Sequence, residues 1–507
     1  MFNFASVLDR NAYRYADQIA LSEGERSLTY AELRARVNAL SVGLREAGVV
    51  SGDVVAVLLY NRIEFVETML AASRIGAAIL PLNYRLSPAE WRYILDHSTA
   101  AAVVTEDEFT KAIDAVSATL PGLRQRITLD TPPGPEWLEY DALVRRHRGS
   151  TTPVVDVEPD ALQRLMYTSG TTSRPKGVMI SHQNVIWKNL AHILEFGLTS
   201  DDNTLVCGPL YHVGGMDLPG LATFHAGGRL SLIRRFDPAA VVSAIEELRP
   251  TNVWLAPSMM NALLQLPDIA DRDMSSIRFI TGGGEKMPIP LLDRISAVFP
   301  DAWFADAYGL TETVSGDTVN DAAHMRSKVG SVGRPVAHVQ VAIFDDHDAP
   351  VPAGMLGEIV IRGPKVMAGY WRDETATRDA LRNGWFHTGD LGRLDEDGYL
   401  YIEDRKKDMI VSGGENIATP EVERVLYENP EVVEAAVVGI PHPRWGEVPK
   451  AFVVLRAGSG LDVEGLKDFC RSRLAKYKVP AEIEYLTSLP RTPSGKVLKR
   501  VLRDTIS

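Results

Sequence analysis

The chain has 507 residues, of which 45% are hydrophobic and 24% charged, so it is long enough for several domains and has an ordinary globular composition. Its net charge of −12 disfavours nucleic acid as the principal partner, because a polyanion would be repelled without a local basic patch. Cys207 and Cys470 form no disulfide or zinc pattern, and we expect a cytoplasmic protein without a secretion signal or membrane-spanning segment.

The first 300 residues contain short β-branched runs that alternate with helix-period segments, starting near residue 53. This alternation predicts β-α-β units on parallel sheets. The predicted strands and their following helices are residues 54–59 and 62–75, 205–208 and 214–225, 253–255 and 257–266, and 277–281 and 288–299. A further strand is predicted at 162–166. The polar stretch 131–160 is predicted to be a surface connection.

The pattern changes after residue 330. Strand-like runs at 339–344, 357–362 and 399–403 are separated by turn-rich loops, which predicts a small β-rich subdomain. The last hundred residues then predict a compact α+β unit, with helices at 420–428 and 463–474 and strands at 432–439, 450–455 and 482–486. We therefore predict an α/β fold: an N-terminal domain (1–404) of two β-α-β-type sheet subdomains plus the β-rich subdomain, and a small α+β domain (405–507).

The segment YTSGTTSRPKG, residues 167–177, is the strongest single motif and follows the strand predicted at 162–166. Its glycines and hydroxyl residues allow backbone N–H and side-chain O–H groups to converge on phosphate oxygens, and Lys176 adds a positive charge. This pattern predicts a polyphosphate-binding loop that is distinct from the common P-loop, because no G-x-x-x-x-G-K-[ST] motif occurs in the chain. The alternative is an ordinary loop with one solvated lysine.

Seven motifs in order resemble the adenylate-forming enzymes, a superfamily that includes acyl- and aryl-CoA ligases, firefly luciferase and peptide-synthetase adenylation domains. They are YTSGTTSRPKG (167–177), YHVGG (211–215), YGLTE (308–312), WFHTGD (385–390), DRKKD (404–408), SGGEN (412–416) and PSGK (493–496). The resemblance is closest to the acyl-CoA ligases. It implies that the small C-terminal domain is mobile and that ATP, Mg²⁺ and CoA are the cofactors.

The resemblance also implies an ATP/AMP site. Its members would be Thr168, Ser169, Gly170, Thr171, Thr172, Lys176, Gly284, Glu285, Asp306, Ala307, Tyr308, Asp390 and Arg405. In this family pattern Tyr308 stacks on adenine and Asp390 accepts hydrogen bonds from the ribose hydroxyls. The implied catalytic residues are Lys496, Thr311, Glu312 and His212, with Glu312 also the Mg²⁺ ligand. Without the surrounding motifs, the alternative interpretation is that Glu312, Asp390 and Lys496 are ordinary surface or turn residues.

An acyl pocket is implied at His212, Gly283, Gly284 and Gly309. Ser173 stands where the family usually has glycine, and the loop GGGEK (282–286) lacks the alanine and proline of many relatives. Gly284 is therefore expected to widen the pocket for a bulky or elongated acid. His212 supplies no fixed negative charge for a substrate ammonium, which favours a simple carboxylic acid, although Asp217 nearby leaves an amino acid open.

The resemblance implies CoA contacts at Ser412, Gly413, Gly414, Trp445, Tyr477 and Arg85, and a hinge at Lys407. Core packing is the alternative for Trp445 and Tyr477, and a surface ion pair is the alternative for Arg85. The predicted reaction joins a fatty or aromatic carboxylic acid to CoA through an acyl-AMP, with release of pyrophosphate. An amine or a carrier-protein thiol as acceptor, a non-catalytic binding protein, and a homodimer are left open.

Overall fold

The computed structural model describes residues 2–168, 175–283, 289–405, 408–412, 415–491 and 497–505, with backbone alone at 289–291, 404, 405, 411, 415 and 416. The described residues form four β-sheets. Two large sheets and a smaller one precede residue 406, and the fourth sheet lies in the C-terminal part. This is the α/β organisation that the sequence predicts.

The first large sheet has a parallel centre. Its strands, in spatial order, are Arg334–Pro335, Thr318–Val319, Trp303–Tyr308, Phe279–Gly283, Asn252–Trp254, Asn203–Val206, Arg229–Leu232, Ile19–Glu23 and Arg26–Thr29. The helical segments that connect them are Val213–Met216, Asp217–Leu221, Ala222–Ala226, Pro238–Leu248, Pro257–Leu264, Ile269–Asp271 and Ile289–Val298. All pairings from Ile19–Glu23 to Trp303–Tyr308 are parallel, so the predicted β-α-β units of this region are confirmed.

The second large sheet mixes parallel and antiparallel pairs. Its strands, in spatial order, are Gly369–Tyr370, Lys176–Ser181, Leu162–Thr168, Ala78–Pro81, Val54–Leu58, Ala100–Thr105, Gln125–Thr128 and Trp137–Glu139. Its helices, with the N-terminal one, are Ser6–Arg14, Tyr30–Glu46, Ile63–Arg74, Pro88–His97, Asp107–Ser117, Tyr140–Arg146 and His182–Phe196. Every residue of Ile63–Arg74 is buried, and one hydrophobic core spans both large sheets. The phosphate-loop strands and the first sheet are thereby held in one body.

The third and fourth sheets are smaller. The third consists of Gln340–Phe344, Gly357–Arg362, Trp385–Leu394, Leu381–Arg382 and Leu400–Arg405, with helix Glu374–Ala380. The fourth consists of Glu415–Ile417, Ile410–Ser412, Gly446–Leu455, Val432–His442 and Glu482–Tyr485, with helical segments Thr419–Tyr427, Val463–Arg471, Lys476–Lys478 and Lys499–Asp504. The predicted division at 404/405 falls at the end of the third sheet's last strand and stays a prediction.

Two parts of the fold differ from the expectation. Residues 131–160 were expected to form only a surface connection, but Trp137–Glu139 extends the second sheet and Tyr140–Arg146 is a helix with Tyr140 buried. Only a few apolar residues make these contacts, so no periodic pattern marks them. The hairpin of Ile19–Glu23 and Arg26–Thr29 also precedes the region where alternation was recognised. In the described part of the chain, no helix is both long and apolar enough to cross a membrane.

Candidate active site

The carboxyl end of strand Trp303–Tyr308 brings together three of the predicted nucleotide-binding residues. Asp306, Ala307 and Tyr308 are all buried there. Ala307 pairs with Gly283 at the end of the neighbouring strand, and a Cβ on Gly283 would lie 2.6 Å from the Ala307 carbonyl oxygen. Glycine is therefore required for the two strands to approach at this point. Ligands of parallel sheets bind at such carboxyl ends.

Tyr308 and Asp390 meet inside the protein. The Tyr308 Oη donates a hydrogen bond of 2.7 Å to Asp390 Oδ2, and both side chains are buried. Burial, together with the negative charge of Asp390, raises the pKa of Tyr308 well above its ordinary value, so the phenol remains a donor. Asp390 lies in the third sheet, where its cross-strand partner is Arg405. The contact thus joins two predicted nucleotide residues from two sheets, and the strand register places the backbone of Arg405 beside one of them.

Glu312 and Lys176 both contact Tyr370, a residue that no sequence motif indicated. Tyr370 Oη donates to Glu312 Oε1 at 2.9 Å, and Lys176 Nζ lies 4.9 Å from the centroid of the Tyr370 ring. The contact with Lys176 is a cation–π interaction. Burial and the charge of Glu312 raise the pKa of Tyr370. One tyrosine therefore contacts both a predicted metal-binding carboxylate and a predicted phosphate-binding ammonium.

The donor set at Glu312 fits a phosphate-bound Mg²⁺. Such an ion is usually held by one or two carboxylates together with phosphate oxygens and water. Glu312 offers one half-buried carboxylate, next to Thr311 in the short 3₁₀ turn Thr311–Thr313. Within the described ranges, no group of three or more His, Cys, Asp or Glu residues could hold a metal ion by itself.

The strands on each side of the phosphate loop form an antiparallel pair. Thr168 ends one strand and is the register partner of Lys176, which begins the next. Both ends of the loop therefore meet at one point. Several predicted residues lie outside the described residues: Ser169, Gly170, Thr171, Thr172, Gly284, Glu285, Lys407, Gly413, Gly414 and Lys496.

His212 lies on the wall of a cavity of about 180 Å³. Its Nδ1 accepts a hydrogen bond of 3.0 Å from the Gly214 N–H at the start of helix Val213–Met216, which orients the imidazole. Trp254, Met259, Arg85 and Arg235 also line the cavity, whereas Gly283 and Gly309 do not. His212 is only half-buried, so its position differs from that of an enclosed core histidine.

The indole of Trp254 forms a flat part of the cavity wall and lies against two glycines. A Cβ on Gly208 would lie 2.6 Å from the indole, and a Cβ on Gly214 would lie 2.5 Å from it. The ring planes of Trp254 and His212 are tilted by 30°, with centroids 6.0 Å apart. Neither glycine can be replaced by a larger residue unless the indole moves. Gly214 of YHVGG thus has a local packing reason, and so does Gly208, which lies outside that motif.

Asp217 is engaged inside the protein. It is fully buried, and its Oδ1 lies 2.7 Å from Arg164 Nη2 and 3.2 Å from Lys188 Nζ. Burial lowers the pKa of Lys188 to about 8, and the attraction of Asp217 opposes this shift. A carboxylate that is fully buried and already paired with two cations is not available to a substrate ammonium. The open alternative of an amino-acid substrate that pairs with Asp217 is therefore disfavoured.

Two predicted CoA-contacting aromatics lie on the surface of the C-terminal part. Trp445 is 44% exposed and Tyr477 is 41% exposed, so the core-packing alternative is wrong for both. Ser412 is the register partner of Gly446, which places it next to Trp445. The turn of Tyr477 is anchored by an ion pair of 2.7 Å between Lys478 and Glu421. Exposed aromatic rings on anchored turns are available to contact a ligand.

The comparisons with known proteins agree with one another. Residues 8–371 match the family described as AMP-binding enzyme, and residues 421–496 match its C-terminal domain. A feruloyl-CoA synthase from Amycolatopsis sp is 42% identical over 96% of this chain and 95% of its own length.

Among solved structures, an anthranilate CoA ligase in complex with anthranoyl-AMP has a TM-score of 0.93 and 27% identity, and the match covers 99% of this chain and 97% of the other. An amide bond synthetase from Marinactinospora thermotolerans has a TM-score of 0.88 and 31% identity, covering 99% and 100%. The matches to these relatives cover nearly the whole chain, including its C-terminal part. The relatives differ in the acyl acceptor that their names indicate: CoA for the first two and an amine for the amide bond synthetase.

Proposed function

The chain belongs to the AMP-binding enzyme family and is an AMP-forming carboxylate–CoA ligase, and from this premise we propose that its acid substrate is a planar aromatic carboxylic acid. In the first half-reaction the carboxylate attacks the α-phosphate of ATP, which gives an acyl-AMP and releases pyrophosphate. In the second, the CoA thiol attacks the acyl carbonyl, loses its proton and displaces AMP. The products are the CoA thioester and AMP.

The observation that supports an aromatic acid is the flat indole of Trp254 beside His212 in the cavity wall. Planar rings gain about 0.5–1.5 kcal/mol from stacked or tilted aromatic contacts beyond the area that they bury. Met259 adds an adaptable apolar contact on the same wall. The acids named for the feruloyl-CoA synthase and the anthranilate CoA ligase are also aromatic.

For adenylation, the meeting of two anions has to be neutralised. We assign this to Lys176 beside Tyr370, to Thr311 at the α-phosphate, and to Lys496, whose flexible ammonium would bridge carboxylate and phosphate. A bound Mg²⁺ would supply positive charge to the phosphate oxygens, and Glu312 would hold it. Asp390, oriented by Tyr308, would accept hydrogen bonds from the ribose hydroxyls.

For thioester formation, we propose that the unit of residues 405–507 rotates at Lys407 relative to residues 1–404. The rotation would place Ser412, Gly413 and Gly414 over the acyl-AMP, with Trp445 and Tyr477 along the pantetheine arm. Arg85 is exposed and lines the cavity that contains His212, so its guanidinium is suited to a CoA phosphate at the cavity mouth. The proposal includes a cytoplasmic location.

The experiment incubates the protein with Mg·ATP and matched pairs of acids, with and without CoA. Ferulate, cinnamate, benzoate and anthranilate are compared with straight-chain acids of equal carbon number, and pyrophosphate, AMP and thioester are followed by mass spectrometry. We expect kcat/KM for the best aromatic acid to exceed that of its straight-chain partner by at least about tenfold. The variant W254L should reduce this preference.

Each alternative gives a different result. A preference for straight-chain acids would overturn the aromatic assignment. Pyrophosphate release without any thioester would overturn CoA as the acceptor and direct the search to amines or carrier-protein thiols. The variant K496A, which should abolish the full reaction, is the control that ties each product to this site.

A further inference from the structure

We propose that Lys365 is a positioning residue that holds Thr311 and Glu312 in place through the turn that follows them. The inference rests on the proposed role of Glu312 in binding Mg·ATP, and it concerns a residue outside all seven sequence motifs. Lys365 is almost completely buried, at 1% exposure. A buried ammonium is costly unless its donors are satisfied, so its contacts indicate what it holds in place.

The turn after Glu312 has an unfavourable backbone conformation. Val314, Ser315 and Gly316 have φ values of 57°, 65° and 59°, which puts three successive residues in the left-handed region. Glycine adopts this region readily, but a β-branched residue such as Val314 rarely does. A strained non-glycine residue of this kind persists only where surrounding contacts hold it. The turn therefore needs an external support.

Lys365 provides that support from a different part of the chain. Its Nζ lies 2.5 Å from the Ser315 carbonyl oxygen, 2.9 Å from that of Gly316 and 2.9 Å from Asp317 Oδ1. Two of these contacts are hydrogen bonds that the ammonium donates to backbone carbonyls of the strained turn, and the third is an ion pair with Asp317. The other carboxylate oxygen of Asp317 accepts from the Thr313 hydroxyl, within the 3₁₀ turn that contains Glu312.

The segment around Lys365 also contacts Glu312 directly. The Met367 N–H donates to the Glu312 carbonyl oxygen at 2.7 Å. The segment is fixed by Asn184, whose Nδ2 donates to the carbonyls of Pro364 at 2.8 Å and Val366 at 2.9 Å. One anchored loop thus holds the backbone of Glu312 on one side and the strained turn on the other. Loss of the ammonium would release the turn but leave the loop attached.

Lys188 provides a matched control. It is also a fully buried lysine, and its Nζ contacts the Asp217 carbonyl oxygen at 2.9 Å and Asp217 Oδ1 at 3.2 Å. These contacts hold the segment after His212 and do not involve the turn of residues 314–316. Lys188→Met and Lys365→Met therefore both remove a buried charge, and they should both lower stability. Only the second should affect Glu312.

The experiment measures Mn²⁺ binding, by calorimetry and by electron paramagnetic resonance, to protein saturated with a non-hydrolysable ATP analogue. Thermal unfolding, and kcat and KM for pyrophosphate release, are measured on the same samples. We expect K365M to weaken Mn²⁺ binding and lower kcat by about tenfold or more. K188M should unfold at a similarly lowered temperature and keep its Mn²⁺ affinity within about twofold.

Two further variants keep the test decisive. If K365M does not fold, K365M/D317N removes both buried charges and should show the same loss of Mn²⁺ affinity in a folded protein. Equal Mn²⁺ affinities for the lysine variants and wild type would overturn the inference. The variant E312Q tests the proposed metal role of Glu312 separately from the positioning role of Lys365. If E312Q weakens Mn²⁺ binding and K365M does not, only the positioning role of Lys365 is wrong. If E312Q has no effect, the proposed metal role of Glu312 fails, and the inference fails with it.

Discussion

The phenol of Tyr308 donates a 2.7 Å hydrogen bond to the carboxylate of Asp390, although 82 residues separate them in the chain. Tyr308 ends a strand of the first sheet, and Asp390 lies in the third sheet. The bond uses one acceptor of a carboxylate that has several, so Asp390 can still accept from a ribose. The pair therefore ties the orientation of the proposed ribose-binding carboxylate to the strand that we propose contacts adenine.

Removing the Tyr308 hydroxyl should impair nucleotide binding. A hydrogen bond to a charged group contributes about 1.5–3 kcal/mol, so we expect Y308F to lower kcat/KM for ATP by about tenfold or more. D390A should lower it further. The double variant Y308F/D390A should be no worse than D390A, because the two residues act as a unit. Pyrophosphate release at varied ATP measures all three, and Y13F, at a tyrosine that is 87% exposed, is the control.

Enlarging Gly214 should block the acid pocket. The new Cβ of G214A would lie 2.5 Å from the Trp254 indole, which has to move. Overpacking of this kind costs about 1–3 kcal/mol, and we expect kcat/KM for the acid to fall by about tenfold. G214A/W254L should recover part of the loss. In G220A the nearest atom would be 3.8 Å away, so this variant should behave as wild type. A loss in G220A equal to that in G214A would contradict the packing argument.

Trp445 should act in the second half-reaction alone. Its exposed ring is available to the pantetheine arm of CoA, and aromatic side chains provide much of the contact energy at binding surfaces. We expect W445A to lower kcat/KM for CoA by about tenfold and to leave CoA-independent pyrophosphate release within about twofold of wild type. The matched control is L194A, which removes an exposed apolar side chain from helix His182–Phe196. Equal losses in both half-reactions would argue against a CoA contact.

The protein should lose stability as the pH falls below about 6.5. Burial lowers the pKa of His182 to about 4, and its Nδ1 accepts the Phe4 N–H, so the folded state holds the neutral imidazole. The unfolded chain takes up a proton near pH 6.5, and folded stability is lost progressively between that pH and about 4. At pH 5 this one group destabilises the fold by about 2 kcal/mol.

Burial lowers the pKa of His192 as well, and this adds to the same loss. Thermal unfolding at pH 7.5 and pH 5 measures the effect. H182Q should reduce the difference between the two temperatures, and H347Q, at an exposed histidine, should not. An unfolding temperature that is independent of pH over this range would refute the assignment.

The sequence predicted elements well where their signal is local. Strand Val54–Leu58 and helix Ile63–Arg74 lie within a residue or two of their predicted bounds, because β-branched runs and helical spacing depend on neighbouring residues. Trp137–Glu139 was missed, because a three-residue edge strand is defined by its pairing with Gln125–Thr128 rather than by its own pattern. The FITGG strand of residues 279–283 began two residues later than predicted.

The candidate site was predicted from its motifs, and what was missed lies between them. Tyr370 and Lys365 occupy an ordinary-looking loop in the sequence, and only the tertiary structure places one against Glu312 and the other beneath the turn that follows it. Trp254 lies inside the strand predicted at 253–255, and its place in the cavity wall follows from the tertiary packing of its indole against two glycines. The roles of the motif residues stay predictions until the variants are measured.

The strand Ile19–Glu23 pairs in parallel with Arg229–Leu232, which the ribosome makes some two hundred residues later. At a synthesis rate of about 5–20 residues per second, this gap lasts roughly 10–40 s. During that time the Ile19–Glu23 and Arg26–Thr29 hairpin has one edge without its native partner, and such edges invite pairing with other chains. We therefore expect this hairpin to depend on chaperones while the rest of the chain is being synthesised. Slower translation of the residues that follow it should increase aggregation.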